Sequence, residues 1–165
     1  MKRMLHVVAV LVFTALSAAA APLKVGLVFD VGGRGDKSFN DSAFRGLERA
    51  KKELGVAYEY IEPSEAADRE NALRQFASGD FPIVIGIGFI FTDDINRVAK
   101  AFPKKHFACV DYALDPKKPV PDNVIALKFR EEESSFLGGV IAALSSKTKT
   151  IGFVGGMDVP LIHKF

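Results

Sequence analysis

Two aspartates occupy matching places in this sequence: Asp30 directly follows the apolar run Leu23 to Phe29, and Asp111 directly follows the run Phe107 to Val110. A carboxylate accepts hydrogen bonds from hydroxyl, amino or ring N–H groups, and a glycine lets a ligand approach the backbone closely. Glycines stand at comparable positions, as Gly32 and Gly33 after the first run, Gly86 and Gly88 around the end of Pro82 to Ile87, and Gly155 and Gly156 after Ile151 to Val154. Val31, Phe89 and Tyr112 flank them. The combination suits a polar, hydroxylated or heterocyclic small molecule. The densest stretch is Asp30 to Asp41, where Phe39 and Asn40 stand just before a helical pattern. An aromatic at a helix start beside a crevice can stack on a flat base, worth about 1 to 3 kcal/mol; the same ring could instead staple the loop onto the core.

Other chemistries find little support. A dinucleotide fingerprint needs a third small residue at a fixed spacing after Gly33 and Gly35, but Ser38 stands there and Asp36 would face the pyrophosphate. No Walker-type lysine motif and no G-x-S-x-G elbow is present. His6, His106 and His163 are scattered, and none has metal-ligand spacing with the lone Cys109. Asp93 and Asp94 read as helix-capping acids, Asn40-Asp41-Ser42 as a chance glycosylation pattern, and Asp115 to Lys118 and Lys147 to Lys149 as solvated charge. The expectation is therefore no catalytic residue, no metal, no cofactor and no enzyme.

The residues that could bind must be placed by short strands and helices in alternation. Leu23 to Phe29, Ala57 to Ile61, Pro82 to Ile87, Phe107 to Val110, Val124 to Phe129 and Ile151 to Val154 read as six strands, the first buried on both faces. Ala43, Phe44, Leu47, Ala50 and Leu54 recur at helical spacing, with Asn40 or Asp41 to cap the start and Gly55 to end it. Ser64 and Gly79 bracket a second helix, Thr92 and Pro103 a third, and Phe136, Leu137, Val140, Ile141 and Leu144 mark an amphipathic fourth. Tyr112 to Asn123 reads as a surface loop. This order predicts an α/β domain, a mostly parallel doubly wound sheet with helices on both faces, whose ligand crevice lies beyond the carboxyl ends of the strands.

Composition bounds the rest. The chain has 165 residues, 48% hydrophobic and 25% charged, with one cysteine, so disorder and a disulfide scaffold are excluded. Lys2 and Arg3, the apolar run Leu5 to Leu16 and Ser17-Ala18-Ala19-Ala20-Ala21-Pro22 match a secretory signal, giving a leader over 1–21 and a domain over 22–165. Without Lys2 and Arg3 the 22 basic residues become 20 against 20 acids, which gives no bias toward nucleic acid. No cysteine lies near the cleavage region to accept lipid, so a freely diffusing periplasmic protein is expected.

Val25-Gly26-Leu27-Val28-Phe29-Asp30, Asp36-Lys37-Ser38-Phe39-Asn40-Asp41, Gly86-Ile87-Gly88-Phe89, Phe107 to Asp111, Phe136-Leu137-Gly138-Gly139 and Ile151-Gly152-Phe153-Val154-Gly155-Gly156-Met157 together resemble the basic membrane protein, or PnrA-like, substrate-binding proteins of bacterial ABC transporters. The resemblance implies a type I periplasmic-binding-protein lobe. It also implies a purine nucleoside ligand, such as inosine, guanosine or adenosine, handed to a membrane permease driven by a separate ATPase. By position, Asp30 and Asp111 correspond to carboxylates that bind the ligand, Phe39 to a stacking aromatic with Asn40 beside it, and Gly88 and Phe89 to a loop near the ligand. Family members run on into a second lobe after the sixth strand, so this chain is expected to hold the first lobe alone, with an exposed apolar partner-facing surface and weak binding. Another ligand such as a sugar, or an exported α/β enzyme, stays open as an alternative.

Overall fold

The computed structural model describes residues 21–165, so the expected leader lies outside the described residues apart from its last residue. Five strands form one parallel sheet: β1 (Lys24–Val28), β2 (Ala57–Ile61), β3 (Ile83–Ile87), β4 (His106–Val110) and β5 (Val124–Leu127), in the order β2-β1-β3-β4-β5. Four helices connect and follow them: α1 (Phe39–Leu54), α2 (Asp68–Ser78), α3 (Thr92–Ala101) and α4 (Glu131–Ser145). Short 3-10 turns cover Phe89–Phe91 and Ile162–Lys164.

The apolar runs are nearly continuous because both faces of the sheet are covered. Alternate side chains of β1 point to opposite sides. Val25, Leu27 and Phe29 join Leu47 of α1 with Val56 and Ile87 in one cluster, while Val28 joins Leu73 and Phe76 of α2 and Ile95 and Val98 of α3 in the other. Fully burying side chains such as Phe29, Phe91 and Ile95 contributes about 1.5 to 3 kcal/mol each. Two strand glycines set how closely the second layer sits. A Cβ on Gly26 would come within 2.5 Å of the Phe76 ring, and one on Gly86 within 2.9 Å of Phe91 and Ile95.

Helix ends follow local chemistry, with some departures from expectation. Gly55 ends α1 in the left-handed region at φ 68°, its N–H donating to the Lys51 carbonyl at 3.1 Å. Gly79 ends α2 in extended conformation instead. Neither Asn40 nor Asp41 caps α1, which begins earlier, at Phe39. Asp36 accepts N–H bonds from Ser38, Asn40 and Asp41 at 2.9, 2.8 and 3.1 Å, satisfying the free amides from just upstream. Ser64 does not cap α2; a tight turn over Glu65 to Ala67 intervenes, and Asp68 reaches back to the Glu65 amide at 3.3 Å. Asp94 is not a cap but a nearly buried ion-pair partner of Arg69, at 3.3 Å, and of Arg97. Tyr112, expected on a surface loop, is 2% exposed and donates its hydroxyl to Asn96 Oδ1 at 2.9 Å. Asn123 closes that loop by donating from its amide nitrogen to the carbonyls of Ala99, Phe102 and Lys105.

The largest correction concerns the last quarter of the chain. The expected sixth strand, Ile151 to Val154, forms no strand; it pairs with no ladder, and Val154 is 97% exposed. Helix α4 forms, but Phe136, Leu137, Ile141 and Leu144 are exposed rather than packed. Its large apolar residues lie on one stripe, as their spacing predicts, but no neighbouring layer among the described residues covers that stripe.

Packing against the sheet, rather than helix propensity alone, holds α3. Ile95→Ala should lower unfolding stability by about 2 to 5 kcal/mol in urea titration, while Leu54→Ala, at a side chain 77% exposed on α1, should change it by no more than about 0.5 kcal/mol.

Candidate functional site

The parallel register lines up residues that are far apart in sequence. Val28 pairs with Gly86, Gly86 with Cys109, and Cys109 with Ala126. Two residues further along each strand direction stand Asp30, Gly88, Asp111 and Lys128, one from each of four adjacent strands. With strands about 4.8 Å apart, Asp30 and Asp111 flank Gly88 at a separation of roughly 10 Å. In the order 2-1-3-4-5 the connections reverse direction between β1 and β3, and open parallel sheets bind ligands at that reversal. Asp30 and Gly88 stand on its two sides.

Contacts tie these residues together. The Asp30 N–H donates to Asn40 Oδ1 at 3.2 Å, fixing the start of α1 to the end of β1, and Asn40 is buried. Asp30 Oδ1 accepts from the Val31 amide at 2.6 Å. Gly88 lies buried between the carboxylates at φ 112°, a conformation that favours glycine, and a Cβ there would stand 3.3 Å from Asp30 Oδ2. Its N–H donates to the Val110 carbonyl at 3.2 Å, and its own carbonyl accepts from the Cys109 thiol at 3.5 Å. Burial pushes that thiol up to about 12, so Cys109 is a packed small side chain, as expected. Asp111 itself adopts a left-handed φ of 58°, which turns it out of the ladder at the strand end.

The two carboxyls share an electrostatic character. Burial raises Asp30 above the ordinary carboxylate range, opposed by the Val31 amide and the Arg69 charge. Burial also raises Asp111, helped by Glu131 and opposed by Lys128. Asp36, fully exposed, is held below its ordinary value chiefly by the Ser38 amide. Because Asp36 occupies the amides at the start of α1, that helix end offers no place for a phosphate. The dinucleotide reading fails on geometry as well as on sequence.

Of the sequence candidates, the fold joins Asp30, Asn40, Gly88 and Asp111 through register and contact. Phe39 is half-buried against the Val25, Leu27 and Phe29 cluster, leaving part of its surface at the helix start. Phe89 lines a cavity of about 410 Å³ with Leu114, Lys128, Leu161 and Lys164. A larger cavity of about 550 Å³ lies along α3 and residues 118–122, away from every candidate. Gly155 and Gly156 lie on the exposed segment beyond the sheet rather than at a strand end. Sequence reasoning missed Arg69, Lys128 and Glu131. Lys128 directly follows β5, and counting two residues on from Ala126, once the register was known, would have found it.

Comparison with known proteins then bears on these observations. A family model described as ABC transporter substrate-binding protein PnrA-like matches residues 23–165. An uncharacterized lipoprotein of Pyrococcus abyssi is 43% identical over 92% of this chain and 38% of its own length. An ABC transporter nucleoside-binding protein of Lactococcus lactis, BmpA, is 36% identical over 87% of this chain and 41% of its own. Among solved structures, an ABC transporter solute-binding protein from Aeropyrum pernix matches at TM-score 0.68 and 39% identity, over 74% of this chain and 32% of that one. The chain thus spans about two fifths or less of the length of these relatives.

One expectation is overturned here. A freely diffusing periplasmic protein was expected from a cleaved leader without a lipid-accepting cysteine, but a relative 43% identical bears the name lipoprotein, which points to a lipid-anchored, membrane-attached protein. No described helix is long and apolar enough to cross a membrane.

The raised carboxyls make a stability prediction. Asp30 and Asp111 bind protons more readily folded than unfolded, so they favour the fold most below the ordinary carboxylate range and lose that contribution as pH rises through their raised values. Ligand-free Asp111→Asn should therefore melt above the parent at pH 7, with the gap closing as pH falls below the ordinary carboxylate range. Equal melting temperatures at both pH values would show that ionised Asp111 carries no desolvation cost.

Proposed function

The chain belongs to the PnrA-like family of ABC transporter substrate-binding proteins, and from that membership we propose that its strand-end row captures a purine nucleoside for delivery to a membrane permease. The observation that carries this reading is the row itself: two carboxylates two strands apart, with a side-chain-free glycine between them, at the reversal point of a parallel sheet. Such an arrangement presents acceptors at both ends of a short backbone floor. A heterocycle bearing N–H or amino groups at one end and a hydroxylated pentose at the other matches that spacing and polarity.

Further features support the nucleoside over a simple sugar. The exposed part of Phe39 stands at the start of α1, next to Asn40, which is bonded to the Asp30 backbone, so the ring is available to stack on a planar base. The relative from Lactococcus lactis is named as nucleoside-binding. Capture is non-covalent: Asp30 and Asp111 accept hydrogen bonds, Phe39 covers a ring face, and the relatively neutral net charge imposes no global steering. Ligand donors would also relieve the desolvation of the two raised carboxyls, so binding energy comes partly from strain already present in the unliganded row. No residue is assigned a catalytic role.

The natural protein should be thermally stabilised by inosine, guanosine or adenosine, with about 2.7 kcal/mol added at a hundred times the dissociation constant. A shift with a sugar and none with any nucleoside would overturn the purine assignment. Phe39→Ala should weaken nucleoside affinity by about 5- to 150-fold, the value of one stacked base, in a variant that still folds. Unchanged affinity would leave Phe39 as a staple for the loop.

A further inference from the structure

Asp111 stands out in the strand-end row for its backbone. Its φ of 58° lies in the left-handed region, which an aspartate enters at a cost and keeps only where the surroundings dictate it, and such positions gather at ligand sites. Lys37 and Lys149 share this region on exposed loops, far from the row. The chain around Asp111 is fastened on both sides. Before it, the Val110 carbonyl accepts from the Gly88 N–H at 3.2 Å, and after it the Tyr112 N–H donates to the Leu127 carbonyl at 3.3 Å. These two bonds tie the turn to β3 and β5. Two further attachments come from α3: the Ala113 N–H donates to Thr92 Oγ1 at 2.9 Å, and the Tyr112 hydroxyl donates to Asn96 Oδ1 at 2.9 Å.

Thr92 and Asn96 stand four residues apart, so their side chains leave the same side of α3. That helix is a firm anchor, because Ile95, Val98 and Ala99 are fully buried in the core beneath it. Thr92 is itself buried, and its hydroxyl has a second use, donating to the Phe89 carbonyl at 2.7 Å. One hydroxyl therefore links the loop after β3, which carries Gly88 and Phe89, to the chain just past Asp111. It can do so because a hydroxyl donates once and still accepts. Resting on the nucleoside reading above, we infer that Thr92 and Asn96 are positioning residues for ligand capture: without touching ligand, they lock the left-handed turn at Asp111 so that its carboxylate is set before ligand arrives. Their effect on affinity passes through Asp111.

The test is a double-mutant cycle on the natural protein, read by calorimetric titration with inosine. Thr92→Val keeps the side-chain shape and drops the hydroxyl, and should lower inosine affinity about fivefold or more. Thr92→Ser, which restores the hydroxyl, should stay within twofold of the parent. Tyr112→Phe, which keeps the ring and removes only the bond to Asn96, should act in the same direction. In an Asp111→Gly background, where no carboxylate is left to position and the left-handed turn is free of strain, Thr92→Val should cost less than twofold. Equal losses in both backgrounds, or no loss from either Thr92→Val or Tyr112→Phe, would overturn the inference while leaving nucleoside binding intact. Hydrogen exchange supplies a reading without ligand: the Ala113 amide should exchange about tenfold faster or more in Thr92→Val than in the parent or Thr92→Ser, and an unchanged rate would overturn the lock itself. Absence of binding to any nucleoside by the parent would overturn the functional reading and this inference with it.

Discussion

The register of four parallel strands is the constraint on which the rest depends. Asp30, Gly88, Asp111 and Lys128 come from segments tens of residues apart, and they share a row only because Val28, Gly86, Cys109 and Ala126 do. A slip of one residue would turn each apolar side chain to the opposite face and set the strand ends out of line. That register is held from both sides. Gly26 and Gly86 admit Phe76, Phe91 and Ile95 so close that any larger residue would collide with them, while Leu47 and Phe29 anchor the opposite face.

Around this frame, the polar groups differ in how fully they are partnered. Asp36 is saturated by amides, Glu62 by Arg34, and Glu70 by Arg74 and Arg97. Arg34 also lies over the Tyr60 and Phe44 rings, at 4.5 and 4.8 Å from their centroids, pinning the loop that leads to α1. Asp30 and Asp111 are different. Each is half-buried and shifted upward by burial, and Asp111 has no ion pair with a described residue. Half-buried carboxylates raised by burial and set at a strand-end reversal have the profile of a binding site with acceptor capacity to spare.

Much of this was legible in the sequence. Runs of four to seven mostly apolar residues announced five strands within one or two residues, and Asp30, Gly88 and Asp111 close three of them, β1, β3 and β4, whose sequences are the most continuously apolar. Asp30 and Asp111 stood out because acids directly after such runs must lie at strand ends. The helix caps were misread where a residue upstream of the expected one, Asp36, reached forward to the amides, a choice set by loop geometry rather than residue type. Ile151 to Val154 has the composition of a strand, but a strand also requires an edge to pair with, and composition carries no information about that. The helical spacing of α4 was read correctly, and its apolar residues are exposed. Glu131 escaped notice because a glutamate in a run of three looks solvated, yet it is buried and pairs with Lys164, distant in sequence.

The central claim is that ligand is held across the strand-end row between Asp30 and Asp111. A crystal structure of the natural protein with a bound nucleoside tests it most directly. Polar ligand atoms are expected within hydrogen-bond distance of both carboxylates, spanning Gly88. Ligand seated instead in the cavity along α3, or touching neither Asp30 nor Asp111, would contradict it.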